Sequence, residues 1–313
     1  IASLVLIRIN GGTAMMRILG IVGVQVCICV PIIVFQFCKG KEFFSKEYWG
    51  YALRIGIPIV PHYLSGIILN QGDRIMIDKM VGKTEVALYG LAYSIGMLVQ
   101  LFISGMNSAL TPWMYSKIKK GDIRSMRKVL QLLSIVVVGI AVALMLISPE
   151  MVLIFGSPKY REAVYVIPPV AASVFFIFIY NILSMPQFYY EKTQFLMAAS
   201  MAAAGANVVL NFIFIRLFGY IAAGYTTLAC YMLYSVGHYI VSKQILVNEG
   251  IQENLMNPGF LLACSVFLIG ASIICNLIFP YRILRYAILL ASAGLVFWKK
   301  ELLLKTMADI RKK

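Results

Sequence analysis

The stretch Gly56–Met80, GIPIVPHYLSGIILNQGDRIMIDKM, decides how the rest of the chain is interpreted. It begins as an apolar segment long enough for a bilayer, which needs about 20 residues of helix, and it ends with four charged residues. Along it, a polar or small residue recurs every four positions, the spacing of one helix face: His62, Gly66, Asn70, Arg74 and Asp78. A membrane-length helix with a polar face predicts a polar interior that this face can contact.

The composition places the whole chain in a membrane. Its 313 residues are 61% hydrophobic and 13% charged, with a mean hydropathy of +0.85. Soluble domains are about 45–50% apolar and about 25% charged. The formal net charge is +15, but the basic residues lie in short clusters between apolar segments. That pattern is typical of membrane loops and argues against a nucleic-acid-binding domain.

The apolar segments predict an all-α, polytopic bundle of about nine transmembrane helices. They lie near residues 18–38, 52–72, 87–111, 129–148, 163–186, 195–218, 221–246, 259–279 and 282–298. Eighteen Lys and Arg residues fall on one side of these spans and ten on the other. Since cytoplasmic loops carry the excess of basic residues, we expect a cytoplasmic C-terminus and place the segment around Asp73 on the outer side.

Several spans carry polar residues at helical spacing, which predicts a hydrated central cavity. For any one residue the alternative is a hydrogen bond to a neighbouring helix, which contributes ~1 kcal/mol. The candidates for the cavity lining are His62, Asn70, Asn107, Asn181, Asn207 and Asn211.

The charges at the end of the second span have two interpretations. Arg74 and Asp78 are four residues apart and can pair along a helix, whereas Asp73 is available to a neighbouring helix. Such charges either close the helix end or bind a substrate, and the sequence leaves both open. Pro58 and Pro61 in the same span favour a bend.

Four segments resemble bacterial polysaccharide flippases, the O-antigen and capsule exporters of the MATE-like multidrug/oligosaccharidyl-lipid/polysaccharide superfamily. They are LRIGIPIVPHYLSGIILNQGDRIMIDKMVGKTEVALYGLAYSIG (53–96), KYREAVYVIPPVAAS (159–173), YEKTQF (190–195) and NVVLNFIFIRLFGYIAAGYTTLACYMLY (207–234). Ala222 departs from the family, which more often has Gly there. Members of this family usually have two six-helix lobes and often two extra helices.

The resemblance implies a domain division. Residues 1–47 would be the last helix of an N-terminal lobe with a cytoplasmic linker, 48–246 a C-terminal six-helix lobe, and 247–313 two additional helices with a basic tail. On this pattern most of the N-terminal lobe precedes Ile1, so we expect the chain to be truncated there.

The resemblance also implies a function: transport of a polyprenyl-pyrophosphate-linked oligosaccharide across the bacterial cytoplasmic membrane by alternating access, without catalytic residues, metal or cofactor. Arg74 and Asp73 are then the first candidates for substrate contact, and Arg54 and Lys192 are candidates for the diphosphate, although both fit simple positive-inside anchoring. Coupling to H⁺ or Na⁺ is an open expectation, with His62 as a protonation site. Expected partners are the lipid-linked substrate, membrane lipids and other polysaccharide-assembly proteins, but no nucleic acid.

Three other functions are alternatives. A peptidoglycan-precursor (lipid II) flippase would share the substrate chemistry. A cation-coupled multidrug antiporter would need an acidic residue within the membrane, and the central portions of the spans contain none. A membrane glycosyltransferase or polymerase should carry a close acidic pair, whereas Asp73 and Asp78 are five residues apart. The sequence also contains no Walker lysine, HExxH or GxSxG motif.

Overall fold

The structure, a computed structural model, describes residues 14–41 and 44–298. Within these ranges it contains ten α-helices, one 3₁₀ helix and no strand, which confirms the predicted all-α class. The α-helices are α1 (Ala14–Gly40), α2 (Lys46–Met80), α3 (Lys83–Gly96), α4 (Leu98–Lys119), α5 (Ile123–Phe155), α6 (Ile167–Tyr189), α7 (Thr193–Phe218), α8 (Ile221–Asn248), α9 (Pro258–Ile278) and α10 (Arg282–Trp298); the 3₁₀ helix is Pro158–Val166.

Seven helical segments in the described ranges are long and apolar enough to cross a membrane, which confirms a multi-pass membrane protein. They are Ile18–Gly40, Lys46–Met80, Lys83–Lys119, Ile123–Phe155, Pro158–Tyr189, Thr193–Phe218 and Pro258–Ile278. The two other predicted spans, 221–246 and 282–298, are the helices α8 and α10. Polar side chains lower the hydropathy of α8, and α10 has only 17 residues.

Contacts divide the chain into two units, Ile1–Arg54 and Ile55–Lys313. The first contains α1 and the beginning of α2, and the second contains the remainder of α2 and all later helices. The predicted domain boundaries at residues 47/48 and 246/247 stay predictions, and the basic tail after Trp298 lies outside the described residues.

The core of the second unit is α6. The pair Pro168–Pro169 lies in its first turn, where the missing N–H groups cost nothing because a helix leaves them unbonded. Every residue from Ile167 to Ile179 is buried, as a helix without a polar face requires. It packs against α4, α5, α8 and α9, so its neighbours are arranged around it.

Local sequence explains where the neighbouring helices begin and end. Asp122 caps α5 by accepting a hydrogen bond from Ser125 N, and Asn257 caps α9 by accepting from Gly259 N and Phe260 N. Gly219 ends α7 with φ of +74°, a backbone conformation that glycine adopts without strain. A short turn follows, and α8 then runs back along α7 and packs against it.

Helix α2 is held differently from the others. Within the described residues of the second unit, it makes no extensive backbone contact with another helix. It is tied to the bundle by side-chain hydrogen bonds to α3, α7 and α8, made by His62, Asn70 and Asp73. Because α2 stands away from α8 along part of its length, a cavity lies between them.

Candidate functional site

The cavity has a volume of about 810 Å³ and lies between α2, α3, α6 and α8 of the second unit. Its lining combines amide, hydroxyl and aromatic groups with a few aliphatic ones. The lining residues are His62, Tyr63, Gly66, Ile67, Leu69, Asn70, Gln71, Arg74, Tyr93, Ser94, Met97, Tyr180, Asn181, Ser184, Phe188, Tyr231 and Tyr234. A cavity of this size lies within the range of about 300–1,000 Å³ typical of small-molecule sites.

Helix α2 presents two adjacent stripes, both with four-residue spacing. The first was predicted from the sequence, and His62, Gly66, Asn70 and Arg74 of it line the cavity. Asp78, the last residue of the predicted stripe, is exposed and does not line it. The second is buried and consists of Ser65, Leu69, Asp73 and Ile77. The helix therefore offers a polar surface to the cavity, and next to it a mostly apolar surface to the bundle that contains one carboxylate.

Arg74 carries the only permanent charge among the residues that line the cavity. Its Nη1 donates to Gln71 Oε1 at 2.7 Å, and its guanidinium lies over the ring of Tyr93, 5.2 Å from the ring centroid. The pair with Asp78 that the spacing allowed does not form: no ion pair joins these two described residues. The guanidinium prefers the Tyr93 ring because both groups lie at the cavity wall, while Asp78 is exposed.

Behind the cavity wall, Asp73 is fully buried and takes part in no ion pair within the described ranges. One carboxylate oxygen accepts hydrogen bonds from the hydroxyls of Tyr89 at 2.5 Å and Thr227 at 2.7 Å. The other accepts from Asn211 Nδ2 at 2.5 Å. Three neutral donors from α3, α7 and α8 thus surround one carboxylate, an arrangement that keeps a buried charge hydrogen-bonded without a cation.

A further set of polar groups surrounds Asn211. Its Nδ2 also donates to Asn207 Oδ1 at 3.1 Å, and its Oδ1 accepts from the Thr226 hydroxyl. With Asp73 and Thr227 these residues form the Asp73 cluster (Asp73, Tyr89, Asn207, Asn211, Thr226, Thr227). The described residues contain no group of three His, Cys, Asp or Glu side chains that could hold a metal ion. The carboxylate, amide and hydroxyl oxygens of this cluster are ligands of the hard type.

Two histidines and two tyrosines form a second group at the cavity. The Tyr234 hydroxyl lies 3.1 Å from His62 Nδ1, and its ring contacts His238 with centroids 4.5 Å apart. Tyr180 packs on Tyr234 at 4.5 Å and on His238 at 5.8 Å. His238 is buried, and its Nδ1 lies 2.8 Å from Gln187 Nε2. This group ties α2 to α6 and α8 at the opposite end of the cavity from Arg74.

The structure distributes the predicted site residues among three locations. His62, Asn70, Arg74 and Asn181 line the cavity, whereas Asp73, Asn207 and Asn211 lie in the buried cluster behind it. Asn107 lies on α4 away from the lining, with a buried Oδ1 that has no partner. Lys192 is exposed at the start of α7, and Arg54 is exposed at the end of the first unit. The roles of all these residues in binding stay predictions.

Tyrosines complete the site, and two of them, Tyr89 and Tyr93, were not among the predicted residues. Tyr89 holds Asp73, and Tyr93 holds Asn70 by a hydrogen bond of 2.7 Å. Tyr231 donates to the same Asn70 oxygen at 3.3 Å. A signal was present in the sequence, because Tyr89 and Tyr93 are four residues apart on α3, and Tyr231 lies four residues after Thr227 on α8.

Comparison with known proteins finds one family model and two curated proteins that are similar to parts of the chain. Residues 1–119 match the model of the polysaccharide biosynthesis protein family. Two curated proteins of Haemophilus influenzae are similar to the chain. One is named Lsg locus putative protein 1, with 28% identity over 51% of this chain and 41% of its own length. The other is named as an uncharacterized membrane protein, with 29% identity over 57% of this chain and 46% of its own length.

The chain thus spans less than half the length of these two relatives. No solved structure matches it. The family match and the relatives nevertheless agree with the resemblance found in the sequence. Together with the seven long apolar helical segments, they support a multi-pass membrane protein that is similar, over residues 1–119, to the polysaccharide biosynthesis protein family.

Proposed function

We propose that the protein moves a polyprenyl-pyrophosphate-linked oligosaccharide across the bacterial cytoplasmic membrane. The observation that carries this proposal is the cavity, in which one permanent positive charge stands among neutral hydrogen-bonding and aromatic groups. A lipid-linked oligosaccharide presents the matching chemistry, because its diphosphate is anionic and its sugars carry many hydroxyls. The family name, polysaccharide biosynthesis protein, supports the same substrate class.

Arg74 is the proposed contact for the diphosphate. A guanidinium binds phosphate oxygens through paired, charge-assisted hydrogen bonds. In the structure only one guanidinium nitrogen of Arg74, Nη1, donates a hydrogen bond to a side chain, that of Gln71. No carboxylate lies among the lining residues to neutralise the charge. Arg54 and Lys192 stay secondary candidates for contacts to the diphosphate on the cytoplasmic side.

The neutral lining residues are the proposed contacts for sugar hydroxyls. Asn181 and Ser184 on α6 and Ser94 on α3 line the cavity with side chains that donate and accept. Asn70 contributes less to direct binding, because its oxygen already accepts from Tyr93 and Tyr231 and its Nδ2 donates to Gly66 O. Its main part is to position these tyrosines.

The Asp73 cluster is the proposed site of the coupling ion, H⁺ or Na⁺. An ionisable residue buried within a membrane span is a functional-site candidate by default. The Tyr89 and Thr227 hydroxyls and the Asn211 amide, which now donate to Asp73, carry oxygens that can bind a small hard cation once they turn toward it. Asp73 would neutralise the charge of that ion. Asp73 lies on α2, the helix that also carries Arg74. Ion binding would thereby bias the position of α2.

The proposed mechanism is alternating access. The head group enters from the cytoplasmic side, where the basic loops and the C-terminus would lie, while the polyprenyl chain stays in lipid. A change in the packing of α2 against the bundle then opens the cavity to the outer side. The protein acts as a transporter and not as an enzyme, and it works beside other polysaccharide-assembly proteins in the same membrane.

A second candidate function is a cation-coupled multidrug antiporter. The observation that favours it is Asp73, because burial of this carboxylate in the bundle supplies the acidic residue that the sequence did not suggest at the centre of a span. The cavity argues for the flippase, since its one permanent charge is positive and a cationic drug would be repelled. A lipid II flippase would use the same chemistry as the main proposal and differs only in the glycan.

Deletion of the gene in its source bacterium tests the proposal. Mass spectrometry of lipid-linked glycans is combined with measurement of surface polysaccharide. We expect a finished oligosaccharide to accumulate on its polyprenyl carrier while surface polysaccharide is lost. Accumulation of peptidoglycan precursor would support the lipid II flippase instead. Retention of dyes or drugs without glycolipid accumulation would support the antiporter and contradict the main proposal.

A further inference from the structure

Tyr93 on α3 contacts both the cavity and the residues around the buried carboxylate. Its hydroxyl donates to Asn70 Oδ1 at 2.7 Å, and its ring lies beneath the Arg74 guanidinium. The same ring packs against Tyr89 with centroids 5.8 Å apart. Tyr93 is only 5% exposed, so these contacts hold the side chain in one place.

The orientation of Arg74 depends on few contacts. In the described structure its side chain is held by Gln71 and by the Tyr93 ring, and its Nε is buried without a hydrogen-bond partner. Gln71 is an exposed residue of the same helix and moves together with Arg74. Tyr93 is therefore the contact that holds the Arg74 guanidinium against a different helix, α3.

Tyr89 is in direct contact with the carboxylate to which a proton or cation in the Asp73 cluster would bind. Its hydroxyl donates to Asp73 Oδ2, an oxygen that also accepts from Thr227. A proton on Oδ2 removes one of the two acceptor sites that Tyr89 and Thr227 share, and a Na⁺ at this oxygen requires their hydroxyls to turn oxygen and not hydrogen toward it. Either event rearranges the Tyr89 hydroxyl. The titratable groups that interact with Asp73 are Tyr89 and Tyr93 on α3 and Cys230 and Tyr231 on α8. On α2 the neighbouring charge is Arg74, the next residue in the chain. On α7 the facing groups, Asn207 and Asn211, are neutral amides.

We propose that Tyr93 is a positioning residue that transmits the occupancy of the Asp73 cluster to the orientation of Arg74 in the cavity. Tyr89 and Tyr93 are four residues apart on one helix and touch, so a shift of the Tyr89 ring displaces the Tyr93 ring. That displacement turns the guanidinium and alters the hydrogen bond to Asn70. This inference rests on the proposed function, in which Asp73 binds the coupling ion and Arg74 the anionic head group.

Tyr231 provides a matched comparison. Its hydroxyl also donates to Asn70 Oδ1, but its ring stacks on Tyr180, with an interplanar angle of 9°, and not on Arg74 or Tyr89. Tyr231→Phe therefore removes a hydrogen bond to Asn70 and leaves the ring contacts between Tyr89, Tyr93 and Arg74 in place. Tyr93→Phe removes only the hydroxyl, and Tyr93→Leu removes the ring as well.

The experiment measures binding of a short-chain polyprenyl pyrophosphate to the purified full-length protein, with and without Na⁺ and across a pH series. Two ligands linked through one element change each other's affinity by the same factor, typically about 5–150-fold. We expect the wild type to bind the polyprenyl pyrophosphate with an affinity that the ion changes by such a factor. Tyr93→Leu should reduce this factor to about 1. Tyr231→Phe should keep the factor, whatever its effect on the affinity itself. Tyr93→Phe should keep most of it, which separates loss of the ring from loss of the hydroxyl.

The outcomes distinguish the two proposals. If the wild type binds with an ion-dependent affinity and Tyr93→Leu retains the full factor, Tyr93 does not transmit occupancy and only this inference fails. Ion-independent binding by the wild type also overturns it. Failure of the wild type to bind the polyprenyl pyrophosphate at all contradicts the proposed function, and this inference falls with it.

Discussion

Asp73 on α2 and Thr227 on α8 are 154 residues apart in the sequence and share a buried hydrogen bond of 2.7 Å. This bond, with those from Tyr89 and Asn211, attaches α2 to the bundle where its backbone makes few contacts of its own. The helix that carries the polar face of the cavity is thus held by polar groups, which can be changed by a proton or a cation. Apolar packing could not be changed in that way.

Asp73→Ala should destabilise the protein. It leaves the Tyr89 and Thr227 hydroxyls and the Asn211 amide buried without their acceptor, and each such group costs about 1–3 kcal/mol. Asp78→Ala, an exposed position on the same helix, is the control and should change little. The midpoint of thermal unfolding in detergent measures both. Equal midpoints for the two variants would show that the cluster contributes nothing to holding α2.

Arg74→Glu should abolish export of surface polysaccharide while the protein still inserts into the membrane. The change places a negative charge beside the proposed diphosphate site, where like charges repel. Lys79→Glu makes the same charge change at an exposed position of α2 that does not line the cavity, and export should persist. Complementation of the deletion strain measures both variants. Export by Arg74→Glu at the wild-type level would make Arg74 a structural residue only.

The sequence predicted the membrane class, the helices and the polar face of α2 correctly, because each depends on local periodicity. It predicted fewer of the side-chain contacts that depend on which helices lie next to each other in the fold. Asn207 and Asn211 have the same polar pattern as Asn181, yet they point to Asp73 and not into the cavity. Only the packing of α7 against α8 distinguishes Asn207 and Asn211 from Asn181. Likewise the spacing of Arg74 and Asp78 allowed an ion pair, and the Tyr93 ring on another helix prevented it.

Gly96→Ala should destabilise the contact between α3 and α6. A Cβ at this position would lie 2.6 Å from Val170 Cγ1 and 2.9 Å from Val170 Cβ, and overpacking of this kind costs about 1–3 kcal/mol. Gly105→Ala on α4 is the control, because nothing lies within 4 Å of its Cβ and alanine favours the helix by about 1 kcal/mol. We expect a lower unfolding midpoint for the first variant and an unchanged or higher one for the second.

Arg285→Ala should loosen α10 from α5. The guanidinium donates to both carboxylate oxygens of Glu150, at 2.8 and 2.9 Å, and to Leu146 O at 2.6 Å. Breaking a buried pair costs about 3–5 kcal/mol, and the loss here should be smaller because the Glu150 side chain is 25% exposed. Arg282→Ala removes an exposed arginine one turn away and serves as the control. A protease-accessibility assay on α10 should separate them, and equal cleavage would contradict the role of this pair.

The central claim is that the cavity around Arg74 carries the head group of a lipid-linked oligosaccharide, and a flipping assay tests it most directly. The full-length protein is reconstituted into vesicles that contain a polyprenyl-pyrophosphate oligosaccharide, and the glycan accessible to an external glycosidase is followed in time. The account predicts that glycolipid of the inner leaflet becomes accessible with the wild-type protein and stays protected with Arg74→Glu. Protection of the inner-leaflet glycolipid in wild-type vesicles, equal to that in empty vesicles, would contradict it.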